Sequence, residues 1–137
     1  MFELNDVIKA LEESWGADTA FDKNDWSPDN SARGQCVVSS LVIQDYFGGD
    51  LLKYSVTGEG ISETHYFNRL SDGRLIDTTE RQYKFPVSLT PASVSFDGFS
   101  STREKRLSDD DTRLRYELLK ARVSTYLEDH KADNPNN

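Results

Sequence analysis

The chain has 137 residues, of which 36% are hydrophobic and 29% charged, with a formal net charge of -8. That is one domain's worth of chain, enough for a core without disulfide or metal support, and its acidic balance argues against a nucleic acid or an anionic membrane as partner. One cysteine and two histidines rule out an internal disulfide and are too few for a structural zinc site.

The opening residues are acidic and lack a basic start followed by an apolar stretch, so no secretory signal is expected. No run of about 18 apolar residues occurs, so no membrane span is expected. A lone free thiol fits a reducing cytoplasm, the expected location. One domain is expected over 1–130, with a flexible tail over 131–137.

In chain order, Leu4, Ile8, Leu11 and Trp15, with Val7 beside them, recur at helical spacing and predict an amphipathic helix stopped by Gly16. Residues 17–33 are polar and rich in turn formers, a loop long for a compact domain, of a length that tends to be either functional or disordered. Residues 34–49 carry Val37, Val38, Leu41, Val42 and Ile43, too broadly apolar for a surface helix. A mostly buried helix is predicted there, stopped by Gly48-Gly49.

Leu52, Tyr54 and Val56 alternate as a strand does, and 58–60 reads as a loop. Residues 65–70 and 74–78 read as two more strands around Ser71-Asp72-Gly73. Residues 86–101 mix breakers and apolar positions and give no clear element. A final helix is predicted from Ser108-Asp109-Asp110-Asp111, whose acids suit the positive end of a helix dipole. Its expected apolar face is Leu114, Leu118, Ala121 and Tyr126, with Leu119 and Val123 alongside. The basic residues Arg103, Lys105, Arg106, Arg113 and Arg115 are interrupted by three acids and read as a solvated surface. Helices segregated from an antiparallel sheet make the expected class α+β.

The chemistry centres on Cys36. A thiol attacks as thiolate, and a helix N-terminus or a neighbouring histidine favours that form. Cys36 opens the buried helix behind Gly34, a glycine expected to let a substrate backbone approach. His65 opens one strand and Asp77 closes the next, so a nucleophile, a base and an orienting carboxyl can converge. The register decides this. In an antiparallel pair, opposed residues have a constant index sum and point to one side. A two-residue loop at Asp72-Gly73 would put His65 and Asp77 on opposite faces. A three-residue loop, 71–73, pairs Leu70 with Arg74 and puts them on one face, and Gly73 suits its left-handed last position. Taken singly, such a cysteine is more often a buried packing residue, such a histidine an exposed strand residue and such an aspartate a turn residue; it is the three together that point to chemistry.

A cysteine on a helix, a histidine on a strand and an aspartate on the next strand resemble the papain-like and transglutaminase-like layout. Residues 65–79 are similar to the transglutaminase-core pattern of His, aromatic, polar, Gly, then Asp before Thr. More closely, the chain resembles the YunG-like family of small bacterial proteins through Asn30, Gly34-Gln35-Cys36, 44–49, 65–70, Asp72-Gly73, 76–79 and 116–119. The resemblance implies a papain-like core whose buried helix carries the cysteine and packs on the sheet bearing histidine and aspartate. The three residues themselves point to a cysteine hydrolase or acyltransferase, of peptidase, deamidase or transglutaminase type, and no cofactor or metal is implied. By analogy with papain-like enzymes, Asn30, six positions before the cysteine, or its rival Gln35 would be the oxyanion donor. The chain departs from papain in lacking a second nearby cysteine and a tryptophan after the nucleophile, and in having Asp as third member. The other readings are a binding or regulatory domain that keeps the fold without turnover, and a redox-sensing thiol. Net charge alone favours a cationic substrate.

Overall fold

The computed structural model describes residues 2–131. The tail expected over 131–137 therefore falls, from 132 onward, outside the described residues.

Helix α1 (Leu4–Ser14) buries Val7, Ala10, Leu11 and Ser14, and the backbone N–H of Glu3 is capped by Asp6 at 2.8 Å. Residues 15–35 follow as an ordered connection, with a 3-10 turn at Ala17–Thr19. Helix α2 (Cys36–Phe47) is buried continuously from Val38 to Ile43, as its all-round apolar sequence requires. Strands β1 (Asp50–Gly58) and β2 (Ile61–Arg69) form a tight antiparallel hairpin. Strand β3 (Leu75–Ile76) pairs with β2, and β4 (Ser88–Pro91) adds to β1. The sheet order is β3-β2-β1-β4. Helices α3 (Thr102–Leu107) and α4 (Asp110–Asp129) complete the chain. The class is α+β, with one antiparallel sheet and the helices grouped apart from it. No helix of the described residues is long and apolar enough to cross a membrane.

The core joins α1, α2 and α4 through Leu11, Leu41, Ile43, Leu119 and Val123, all fully buried. Within it, Trp15 Nε1 donates to Ser39 Oγ at 2.9 Å, which satisfies the buried indole.

Helix α4 is turned differently from its expected face. It buries Thr112, Arg115, Tyr116, Leu119, Val123 and Leu127, whereas Leu114 is 61% exposed and Leu118 36%. Two apolar stripes run along this helix. The inward one is chosen by Arg115 and Tyr116, whose polar ends reach the carbonyl of Thr19 and the carboxyl of Asp45. Leu119→Ala should therefore cost about 3 kcal/mol, and Leu114→Ala no more than about 0.5 kcal/mol, in urea unfolding. Equal costs would show the helix to be rotated otherwise.

The basic run is not a solvated surface either. Arg103 bonds the carbonyl of Leu41, Gln44 Oε1, Asp45 and the Tyr116 hydroxyl, and so ties α3 to α2 and α4. Lys105 pairs with Asp97 at 2.6 Å, Arg115 is buried and Arg106 faces a cleft. Of the five, Arg113 keeps the expected role, in an exposed pair with Asp110.

Candidate active site

The loop between β2 and β3 fixes the local geometry. Leu70 N–H donates to the carbonyl of Arg74 at 2.8 Å, Gly73 N–H donates to that of Leu70, and Gly73 has φ +92. This is the three-residue loop with its left-handed last position. It sets the register Asn68↔Ile76 and Arg69↔Leu75, with index sum 144. In that register Asp77 lies diagonal to His65 on the same face, and His65 Nε2 meets Asp77 Oδ2 at 2.7 Å. The chain leaves the ladder after Ile76, shorter than the strand expected to Thr78. The other oxygen, Asp77 Oδ1, accepts the N–H of Thr79 at 3.2 Å. Asp77 is thus also a turn residue, and the turn aims its carboxyl at the imidazole.

The His65 side chain is fully buried. Phe67 stacks on the ring at 5.8 Å and Tyr83 meets it edge-on at 5.4 Å. Burial alone pulls the imidazole pKa down, but the hydrogen bond to Asp77 and the adjoining Cys36 thiol outweigh it and raise the pKa to about 9. The ring therefore carries two protons at neutral pH. Nε2–H is given to Asp77, which leaves Nδ1 as the nitrogen for the thiol. Nδ1 is buried and has no hydrogen bond of ordinary geometry, even though the thiol is close enough to raise the ring's pKa.

Cys36 is half-buried and is the first residue of α2. Among the described residues nothing accepts the backbone N–H groups of Cys36 and Val37, which is the normal state of a helix first turn. Two free donors and the positive end of the helix dipole therefore lie beside the sulfur.

The two amides proposed as oxyanion donors are placed elsewhere. Gln35 is fully buried; its Oε1 accepts from Thr19 and its Nε2 donates to the carbonyl of Gly16. Asn30 Nδ2 donates to the carbonyl of Gln82 at 3.0 Å. Gln35 ties the end of the long connection to its start, Asn30 ties the connection to the segment after β3, and neither lines the cleft. Gly34 has a structural reason of its own. Its φ is +76, and a Cβ there would stand 2.9 Å from the backbone nitrogen of Phe21, so it is the chain's own loop that approaches it closely.

Cys36 opens onto a cleft of about 410 Å³ whose walls include Val37, Lys53, Tyr66, Gln82, Tyr83 and Arg106. One side is closed by Arg33, which bonds Glu63 through two nitrogens at 2.7 and 3.1 Å and Asp25 at 2.8 Å. This clamp holds the long loop on β2, and the two acids keep the guanidinium firmly protonated. Among the described residues no group of three His, Cys, Asp or Glu side chains is placed to hold a metal ion.

The model of the YunG protein family matches residues 3–128, which includes the helix bearing Cys36 and the strands that carry His65 and lead to Asp77. The chain belongs to the YunG family. It is 27% identical over 124 residues to a protein of Bacillus subtilis (strain 168) described as uncharacterized protein YunG, and the match spans 90% of this chain and 94% of that one. No solved structure matches the chain. The YunG match assigns no chemistry, so the function rests on the geometry of the site.

Proposed function

We propose that this YunG-family chain is a cysteine-dependent amide or ester hydrolase or acyltransferase, with Cys36 as nucleophile, His65 as acid and base, and Asp77 as orienter. The observation that carries the reading is the buried imidazole. It bonds a carboxyl at 2.7 Å through one nitrogen, has the chain's single thiol as neighbour, and that thiol opens onto a cleft. A buried nitrogen without a hydrogen bond is costly; here it is the nitrogen that would exchange a proton with sulfur and substrate.

In the proposed cycle the thiolate of Cys36 adds to the acyl carbon. The carbonyl electrons move onto oxygen, where the N–H groups of Cys36 and Val37 receive the charge. These backbone donors take the place of Asn30 and Gln35. As the C–N or C–O bond breaks, His65 gives its Nδ1 proton to the leaving group, and a thioester and a neutral imidazole remain. Water or an amine then gives a proton to Nδ1 and adds to the thioester. The C–S bond breaks, and the thiolate–imidazolium pair is restored. Asp77 keeps its proton bond to Nε2 throughout and supports the ring's charge. Peptidase, deamidase and transglutaminase chemistry share these steps. The order of helix cysteine, strand histidine and following aspartate supports a core of papain-like or transglutaminase-like type.

The test is acylation of the protein by p-nitrophenyl acetate, followed by mass spectrometry. An acetyl group should appear on Cys36 faster than on a small free thiol at neutral pH, then be lost as the thioester turns over. A thiol that acylates no faster than the free one would overturn the enzyme and favour a binding domain that keeps the fold.

A further inference from the structure

Net charge points to a cationic ligand, but two cations on the cleft wall stand without an ion pair and point the other way. Of the acids on its walls, Glu63 and Asp25 are taken up by Arg33. Of the cations, Arg33 is spent on those acids and Arg115 on Asp111. What remains is Asp22 at the exposed rim, and Lys53 and Arg106 on the walls. Among the described residues, neither Lys53 nor Arg106 forms an ion pair or a side-chain hydrogen bond. The acids they feel at longer range make their direct contacts elsewhere, Asp97 with Lys105 and Ser95 and Asp109 with the N–H and hydroxyl of Thr112.

Both cations are half-buried, and they are arranged about one side chain. Lys53 is the direct cross-strand partner of Tyr66, and the Arg106 guanidinium lies over the Tyr66 ring at 6.0 Å. Tyr66 itself is near enough to Arg106 and to Cys36 to feel both. Strand β1 and helix α3 thus bring two cations without a direct ion pair to the wall that carries the thiol. Partly desolvated cations without counter-charges attract an anion more strongly than surface ones do.

We propose that Lys53 and Arg106 form an anion-binding wall beside Cys36, so that the substrate is an acyl compound bearing a negatively charged group such as a carboxylate near its reactive carbonyl. The substrate class rests on the thiol chemistry proposed above, whereas the anion-binding wall does not.

The chain's single cysteine makes the test direct. Cys36 is alkylated with iodoacetate, which is anionic, and with iodoacetamide, which is neutral and of similar size. The ratio of the two rates is compared with that of a small free thiol. Because both rates come from one protein, any general change in thiol reactivity cancels. The parent ratio should exceed the free-thiol ratio and fall about fivefold in the Lys53→Gln/Arg106→Gln double variant. It should also fall as salt is raised, and Arg106→Lys should retain most of it. A ratio in the double variant equal to the parent's, with both proteins folded by circular dichroism, would overturn the wall. Fast, His65-dependent alkylation with no preference for iodoacetate would keep the catalytic reading and reject the anionic substrate. A preference for iodoacetate that needs Lys53 and Arg106 but not His65 would keep the wall and reject the catalytic couple.

Discussion

Replacing His65 by alanine should slow the reaction of Cys36 with p-nitrophenyl acetate at pH 7 by about thirtyfold or more. A thiol at the ordinary pKa near 8.5 is about 3% ionised at pH 7, so complete conversion to thiolate is a gain of about thirtyfold. Proton transfer by the ring adds to that when the leaving group is poor. Asp77→Asn should fall between the parent and His65→Ala. An amide oxygen can still accept the Nε2 proton, but the charge that supports the imidazolium at 2.7 Å is gone. Rates measured from pH 6 to 10 separate chemistry from misfolding. In His65→Ala the deficit should close at alkaline pH, where solvent ionises the thiol without help. A His65→Ala rate equal to the parent's at pH 7 would show that the imidazole does not activate the sulfur.

The same histidine should make stability depend on pH. Its pKa is about 9 in the folded chain against 6.5 in the unfolded one. Between those values the folded state holds a proton that the unfolded state has lost. Stability therefore falls as pH rises. The contribution is complete below about pH 6.5 and is lost as pH passes through about 9. At 1.36 kcal/mol per pH unit it amounts to about 3 kcal/mol. In the parent the thiolate proposed for Cys36, which the unfolded chain forms only near pH 8.5, offsets this loss between about pH 6.5 and 8.5. Urea unfolding of Cys36→Ser from pH 6 to 10 should therefore show the decline, reduced to the part that Asp77 sustains. His65→Gln on that background should flatten it. A Cys36→Ser profile that rises over this window would mean that the ring is neutral when folded and that burial outweighs Asp77.

Some of this architecture is legible in the residues alone, because it depends on neighbours along the chain. Periodicity located α1, the buried α2 and the existence of α4. Gly73 at the end of Ser71-Asp72-Gly73 pointed to the three-residue loop, and that loop is enough to set the β2–β3 register and carry Asp77 to His65. Turn chemistry and strand alternation act over a few residues, so a short sequence determines them.

Tertiary structure decided what depends on residues far apart. The rotation of α4 followed from Arg115 reaching Thr19 and Tyr116 reaching Asp45, since either apolar stripe satisfies the helical period. The amides of Asn30 and Gln35 have the right chemistry for an oxyanion hole. A buried amide goes to whichever unsatisfied group is nearest, and those are the backbone carbonyls of Gln82 and Gly16 and the hydroxyl of Thr19. Arg103 looked like surface charge until α2 and α4 supplied its acceptors. The two cations left without an ion pair on the cleft wall could not be read from an acidic chain, because they are what remains after pairing, and pairing is settled in space. A sequence determines its local hydrogen-bond geometry directly; which charges are neutralised and which are left facing a cleft is determined only by which distant segments the fold brings within a few ångströms of one another.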